Sequence, residues 1–261
     1  MPTKRVVAIA DPHCGHVAGL TPPAWTNCDS KLGKRFARYR DESWAAYMKI
    51  VRRLRPIDVL MVVGDSIHGK GERSGGVELL ESDRIEQAQM AAAAFRAWHP
   101  KDGTVLIYGT PSHTGKMEDF EDIIAAELGT QCHGHVHWAV NGVIFDLKHK
   151  VGGSGIPHGR MTQINKAKLW NNEWRELGVQ PRGDIFLRGH VHYTEETYSP
   201  ATGIQCLTLP SLCGWTKFGA RQCDGVVHWG VNWWDIKPNG ERTWHHEVVV
   251  LESTKEKVHS F

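Results

Sequence analysis

The run Val59-Leu60-Met61-Val62-Val63, followed at once by Gly64-Asp65, constrains this chain more than any other stretch. An apolar run without alternation describes a strand buried on both faces, as the central strands of an α/β sheet are. Gly64 lets the backbone turn sharply out of the sheet, and Asp65 is left at the strand's carboxyl end, where open α/β sheets place their ligands. By itself a Gly-Asp pair describes a turn carboxylate or a helix cap as well as it describes a metal ligand. The case for a site comes from other β-like runs that stop in the same way.

Arg5 to Ala10 is such a run and ends in Asp11-Pro12-His13. Asp and His two residues apart in extended chain point the same way, so both can reach one cation. Thr104 to Tyr108 ends in Gly109-Thr110-Pro111-Ser112-His113. A hairpin from Val140 to Leu147, turning at Asn141-Gly142, runs into His149, and Asp184 to Arg188 ends in Gly189-His190-Val191-His192. A bridging carboxylate among imidazoles suits two divalent transition ions roughly 3.5–4 Å apart.

Between these runs the apolar residues recur at helical spacing over 34–54, 77–99, 117–128 and 161–177, which predicts βαβ units with right-handed crossovers. The glycine- and proline-containing stretch from Cys14 to Gly33 reads as a rim or lid, and His68, three residues past Asp65, as a lining or an exposed residue. Gly152, Gly153 and Gly155 permit close approach of backbone to phosphate oxygens, or simply a flexible loop. The tail segments Ile204–Leu209, Gly225–Ile236 and His245–Leu251 predict an antiparallel meander. Its tryptophans (Trp215, Trp229, Trp233, Trp234, Trp244) serve packing or, where exposed, base stacking.

Composition narrows the class. A chain of 261 residues fits one domain, taken here as residues 1–261, and a formal net charge of +2 does not mark a dedicated polyanion binder. The six cysteines contain no Cys-x-x-Cys pair, so neither a zinc knuckle nor a disulfide framework is indicated, and free thiols in a reducing compartment are expected. No stretch is long and apolar enough for a membrane span or a signal segment, so the expectation is a soluble, cytoplasmic protein.

The order Asp-x-His, Gly-Asp, a polar turn with His, a lone His and Gly-His-x-His resembles the calcineurin-like metallophosphoesterase family, from Asp11 to His192. The resemblance implies a four-layer α/β/β/α sandwich of two mixed β-sheets flanked by helices, the later strands falling in the second sheet. It implies two divalent ions, manganese first and iron, nickel or zinc as alternatives. Asp11, His13 and His192 would hold one ion, His149 and His190 the other, and Asp65 would bridge them. It further implies hydrolysis of a phosphoester by an activated water, with a nucleotide or nucleic-acid phosphodiester preferred here, a phosphomonoester as the alternative and a non-catalytic scaffold as a third possibility. One motif departs from the family's Gly-Asn-His. Gly109-Thr110-Pro111-Ser112-His113 has no Asn, which leaves His113 as general acid or as replacement ligand, with Thr110 nearby as a weak oxygen donor. Only one Gly-His-Val-His copy can fill the last motif; His190 and His192 follow the lone histidine as the family order requires, so His135 and His137 are assigned to the surface or rim. His158 and Arg160, just past His149, are candidates to hold non-reacting phosphate oxygens.

Overall fold

A computed structural model describes residues 2–114, 118–215 and 225–255. Strands β1 (Lys4–Ile9), β2 (Val59–Val63), β3 (Gly103–Ile107) and β4 (Cys132–His133) pair in parallel, and β10 (Trp229–Ile236) and β11 (Arg242–Val249) extend that sheet antiparallel beyond β1, giving the order β11-β10-β1-β2-β3-β4. A second sheet has the order β5-β6-β7-β9-β8, built from β5 (Val136–Val140), β6 (Val143–Leu147), β7 (Ile185–Arg188), β8 (Glu195–Ser199) and β9 (Ile204–Thr208). Both sheets are mixed.

The period-two alternation of the central strands builds the layers. Val6, Ala8, Val59, Met61 and Val63 meet Phe145, Leu147, Ile185, Leu187 and Leu207 in a core between the sheets. Val7, Ile9, Leu60 and Val62 face the other way, against Tyr47, Ile50 and Val51 of α2 (Ala37–Leu54), Ala91 and Phe95 of α3 (Arg84–Arg96) and Ile124 of α5 (Glu121–Leu128). On the far side Phe186, Ile204 and Cys206 pack under Ile164 of α6 (Arg160–Glu176). The result is the expected four-layer sandwich. Trp234 links its two inner layers: it is fully buried on β10, meets the Phe145 ring edge-on at 5.5 Å and donates from Nε1 to Gln205 Oε1 at 3.0 Å.

Several expectations change. The tail is not one meander, because β9 runs parallel to β7 in the second sheet while β10 and β11 join the first, contrary to the placement of the later strands in the second sheet. The expected helix over 34–54 breaks at Phe36, leaving a short α1 (Lys31–Arg35) capped by the Ser30 hydroxyl, which accepts from Gly33 N at 2.9 Å. The helix expected from 77 begins only at Arg84, where Asp83 caps Ile85 N at 2.8 Å. Met117, the expected start of the next helix, lies outside the described residues, as does Cys223. Of the stretch expected as a rim or lid, residues 14–22 are buried, with Val17, Ala18 and Leu20 fully so, because an apolar loop this close to the sheet gains more as core than as rim; residues 23–32 are exposed or half-buried. Trp229 and Trp234 are core residues too.

Replacing Trp234 with alanine removes the tie between the sheets, and urea unfolding should show a loss of about 3–5 kcal/mol in stability. A loss below 1 kcal/mol would mean that the sheets cohere without it.

Candidate metal centre

The carboxyl ends of β1, β2, β3, β6 and β7 converge on one pocket of about 580 Å³, lined among others by His13, Asp65, His68, His113, His190 and His192. The loops leaving β1 and β2 stay laddered past the strands: Asp11 N donates to Gly64 O at 3.1 Å, His13 N to Asp65 O at 3.0 Å and Cys14 N to Ser66 O at 3.0 Å. Asp11 (φ 51°), His13 (φ 44°), Asp65 (φ 48°), His190 (φ 74°) and His192 (φ 55°) all take left-handed backbone conformations, which non-glycine residues seldom adopt outside turns and functional sites. Gly64 is needed for space as well as for its φ of 77°, since a Cβ there would lie 2.4 Å from the His149 ring. Gly109 is needed for space alone: a Cβ would lie 2.1 Å from Asp65 Oδ1.

The candidate ligands fall into two sets of potential donor atoms, each within 4.8 Å of one another: Asp11, His13 and His192, and Asp65, His149 and His190. Within the sets, His149 Nε2 lies 3.1 Å from Asp65 Oδ2 and His13 Nε2 lies 3.1 Å from His192 Nε2; across them, His149 Nε2 lies 3.9 Å from Asp11 Oδ1 and His13 Nε2 4.0 Å from Asp65 Oδ2. Backbone amides fix the carboxylates. His190 N donates to both Asp11 oxygens at 3.1 and 3.0 Å, and Thr110 N to Asp65 Oδ1 at 2.6 Å. Thr110, expected near substrate, is buried and also turns its hydroxyl towards Asp65 Oδ1 at 3.2 Å, so its contact in this structure is with the carboxylate.

Histidine tautomers follow from the carbonyls they meet. His149 Nδ1 is 2.8 Å from Val63 O and His113 Nδ1 is 2.9 Å from His68 O. A carbonyl only accepts, so both Nδ1 atoms donate and, in the neutral rings, both Nε2 atoms carry the lone pair. His149 Nε2 is buried without a hydrogen-bond partner, as is His13 Nδ1. Burial holds His13 and His190 below the ordinary imidazole range and takes His68 down to about 2, so these rings are neutral lone-pair donors at neutral pH. His149 is the exception. Burial opposes its charge, but the Asp65 and Asp11 carboxylates outweigh that and raise it to about 10; reciprocally, His149 draws Asp65 well below the usual carboxylate range against the effect of burial.

His113 sits beside His13, with ring centroids 4.6 Å apart, and forms a donor cluster with His13 and His68; it is not in the set with His149 and His190. Arg160 lines the pocket, with its guanidinium 4.5 Å over the Tyr193 ring and Nη1 3.6 Å from Glu195 Oε1. His158 is exposed on the turn before α6 and does not line the pocket. His135 and His137 lie on and just before β5, with Nε2 atoms 3.0 and 3.2 Å from the buried Asp146 carboxylate, outside this pocket.

Glu121 carries no motif and went unread in the sequence. Fully buried at the start of α5, it accepts from Ser66 N at 2.9 Å and Gly109 N at 2.8 Å, tying the loops after β2 and β3 on either side of Asp65. No periodicity or spacing marks it, because its role exists only once two distant loops meet it.

No protein-family model matches the chain, and no curated protein matches it. Among solved structures it is similar to a novel archaeal phosphodiesterase, with 10% identity over 94% of this chain and 99% of that one and a TM-score of 0.49. It is similar to a dimetal phosphatase from Danio rerio at 11% identity, covering 94% and 99%, with a TM-score of 0.45.

Burial raises Glu121 from 4.5 to about 7. The folded state then holds this proton where the unfolded chain has lost it, so the stability it contributes is complete below pH 4.5 and is lost as pH rises towards 7. In metal-stripped protein, urea titrations should show the wild type losing up to about 3 kcal/mol relative to Glu121→Gln across that window. Parallel pH profiles for the two proteins would refute the assignment.

Proposed function

We propose that this chain is a dinuclear-metal phosphoesterase of the calcineurin-like type that hydrolyses phosphodiester bonds of a nucleotide or nucleic acid. The observation that carries the reading is the meeting of two buried carboxylates with four imidazoles from four strand ends, in two donor sets, with His149 Nε2 buried between Asp65 and Asp11. Neutral imidazoles beside anionic carboxylates suit divalent transition ions, manganese foremost, with iron, nickel or zinc admitted by the same donors. Asp11, His13 and His192 would hold one ion, His149 and His190 the other, and Asp65 both. When bound, the ions supply Lewis-acid polarisation of the phosphate and lower the pKa of a water.

The chain's own groups do the rest. His113 is the general acid: with Nδ1 committed to the His68 carbonyl, its protonated ring presents Nε2–H to the pocket. As the water oxygen bonds to phosphorus, the bond to the leaving oxygen breaks and that oxygen takes the Nε2 proton, while the proton shed by the water passes to solvent, from which His113 is reprotonated. Arg160 is in place to hold a non-reacting phosphate oxygen, and Thr110 and Glu121 keep Asp65 in position. The described cysteines are all free, which fits a reducing, cytoplasmic setting, and no described helix is long and apolar enough to cross a membrane.

The test is metal-stripped protein reloaded with manganese and assayed on aryl and alkyl phosphodiesters. Asp65→Ala should abolish hydrolysis of both. His113→Ala should keep its metal content yet lose about 10²–10⁴-fold on the alkyl ester, whose leaving group needs a proton, and far less on the aryl ester. Loss of metal from the His113 variant would make it a ligand instead, and no turnover by wild type with any of the four metals would sink the enzymatic reading.

A further inference from the structure

On the other side of the same strand ends lies a second pocket, of about 320 Å³, which the proposed chemistry does not use. It opens between α6 and the outward face of the second sheet, and Lys148, Lys150, Lys166, Arg188, Trp170 and Trp174 all line it. Among its described lining residues Asp146 is the only carboxylate, and Arg188 already holds it at 2.7 Å, so the three lysines give the pocket its net charge. All three are exposed. Trp170 and Trp174, one helical turn apart on α6, are 58% and 43% exposed, which is costly for indoles that serve only packing.

The two pockets are joined through the backbone. His149 meets Asp65 in the metal centre while its chain neighbours Lys148 and Lys150 line the basic pocket, and Arg188 is followed directly by Gly189-His190. The rim is shared as well: Gly152 lines the basic pocket and the next residue, Gly153, lines the metal centre. Glycine at this rim offers a polymer a path with no side chain in the way.

We propose that the basic pocket is a binding subsite for single-stranded nucleic acid, taking backbone phosphate on Lys148, Lys150 and Lys166 and unpaired bases on Trp170 and Trp174, while a neighbouring phosphodiester lies in the metal centre. Lysines neutralise phosphates without reading sequence, and indole faces stack on any base, so recognition here is of strand and not of sequence. The inference rests on the phosphodiesterase reading and narrows its substrate from a dinucleotide-sized diester to a polynucleotide.

Binding and turnover separate the two claims. A fluorescein-labelled single-stranded oligonucleotide is titrated into full-length Asp65→Ala protein with Lys166→Gln or Trp170→Ala added, both on α6 and remote in sequence from the candidate ligands. Each addition should weaken binding about tenfold by anisotropy, and Lys166→Gln should lower the slope of log affinity against log salt by about 0.7, the share of one phosphate contact on a single strand. In an otherwise wild-type, manganese-loaded background, the same changes should raise KM for the oligonucleotide about tenfold and leave hydrolysis of a small aryl diester within about twofold. An oligonucleotide that does not bind, or binds with unchanged affinity and salt slope in both variants, overturns the subsite even if the aryl diester is cleaved. Binding that maps to the pocket in a protein that cleaves no diester upholds the subsite and overturns the catalytic reading instead.

Discussion

Two carboxylates, Asp11 and Asp65, are buried at adjacent strand ends, and neither has a lysine or arginine partner among the described residues. An uncompensated buried carboxylate costs several kcal/mol, and backbone N–H groups from His190 and Thr110 recover only part of that. Apart from His149, which those carboxylates hold protonated, the burial-shifted rings around them, His13, His68 and His190, are kept neutral. A protein that gathers two carboxylates and several lone-pair donors in one place, with one imidazolium of its own among them, has built a site that favours external cations. That electrostatic debt governs how the strand ends must be arranged.

The arrangement is paid for in backbone conformation. Seven described non-glycine residues have positive φ, and five of them are candidate ligands; the others are His99 and Asn141, the latter at the β5–β6 hairpin turn. Each left-handed residue is unfavourable by of order 1–3 kcal/mol and persists because its surroundings over-determine it. Here the surroundings are identifiable. The amide ladder between the loops after β1 and β2 continues past the sheet, Ser211 Oγ donates to Asp11 O at 2.9 Å, and Glu121 clamps the loops on both sides of Asp65. Strain of this kind is what turns side chains from separate strands towards one point.

Much of this was readable from residue order. Apolar runs that end in Asp or His mark central strands and their carboxyl ends together, since burial on both faces and a sharp exit are local properties of the chain. What escaped was decided at long range or by exposure. Glu195 to Ser199 is a polar, half-exposed strand on the sheet edge and shows no apolar alternation to detect. That β10 pairs with β1 in one sheet while Trp234 reaches Gln205 of β9 in the other is a long-range arrangement that no local pattern encodes. Glu121 belongs to the same class. After Cys14, glycine and proline signal a surface loop, yet the apolar Val17, Ala18 and Leu20 between them are fully buried.

The departure of the third motif from Gly-Asn-His has a structural consequence beyond the loss of one amide. His113 lies with His13 and His68, so no His, Cys, Asp or Glu among the described residues of its loop joins the set formed by Asp65, His149 and His190, whereas Asp11, His13 and His192 have Asp65 Oδ2 within 4.0 Å of His13 Nε2. On the proposed reading one ion then has four protein donors and the other three. The poorer set also includes His149, whose proton must leave before its Nε2 can ligate, and that proton is held by the same carboxylates that would bind the cation. On that reading the two positions would be linked: a cation held by Asp11 and Asp65 would offset the negative charge that keeps His149 protonated, and His149 Nε2 would then be open to the second ion.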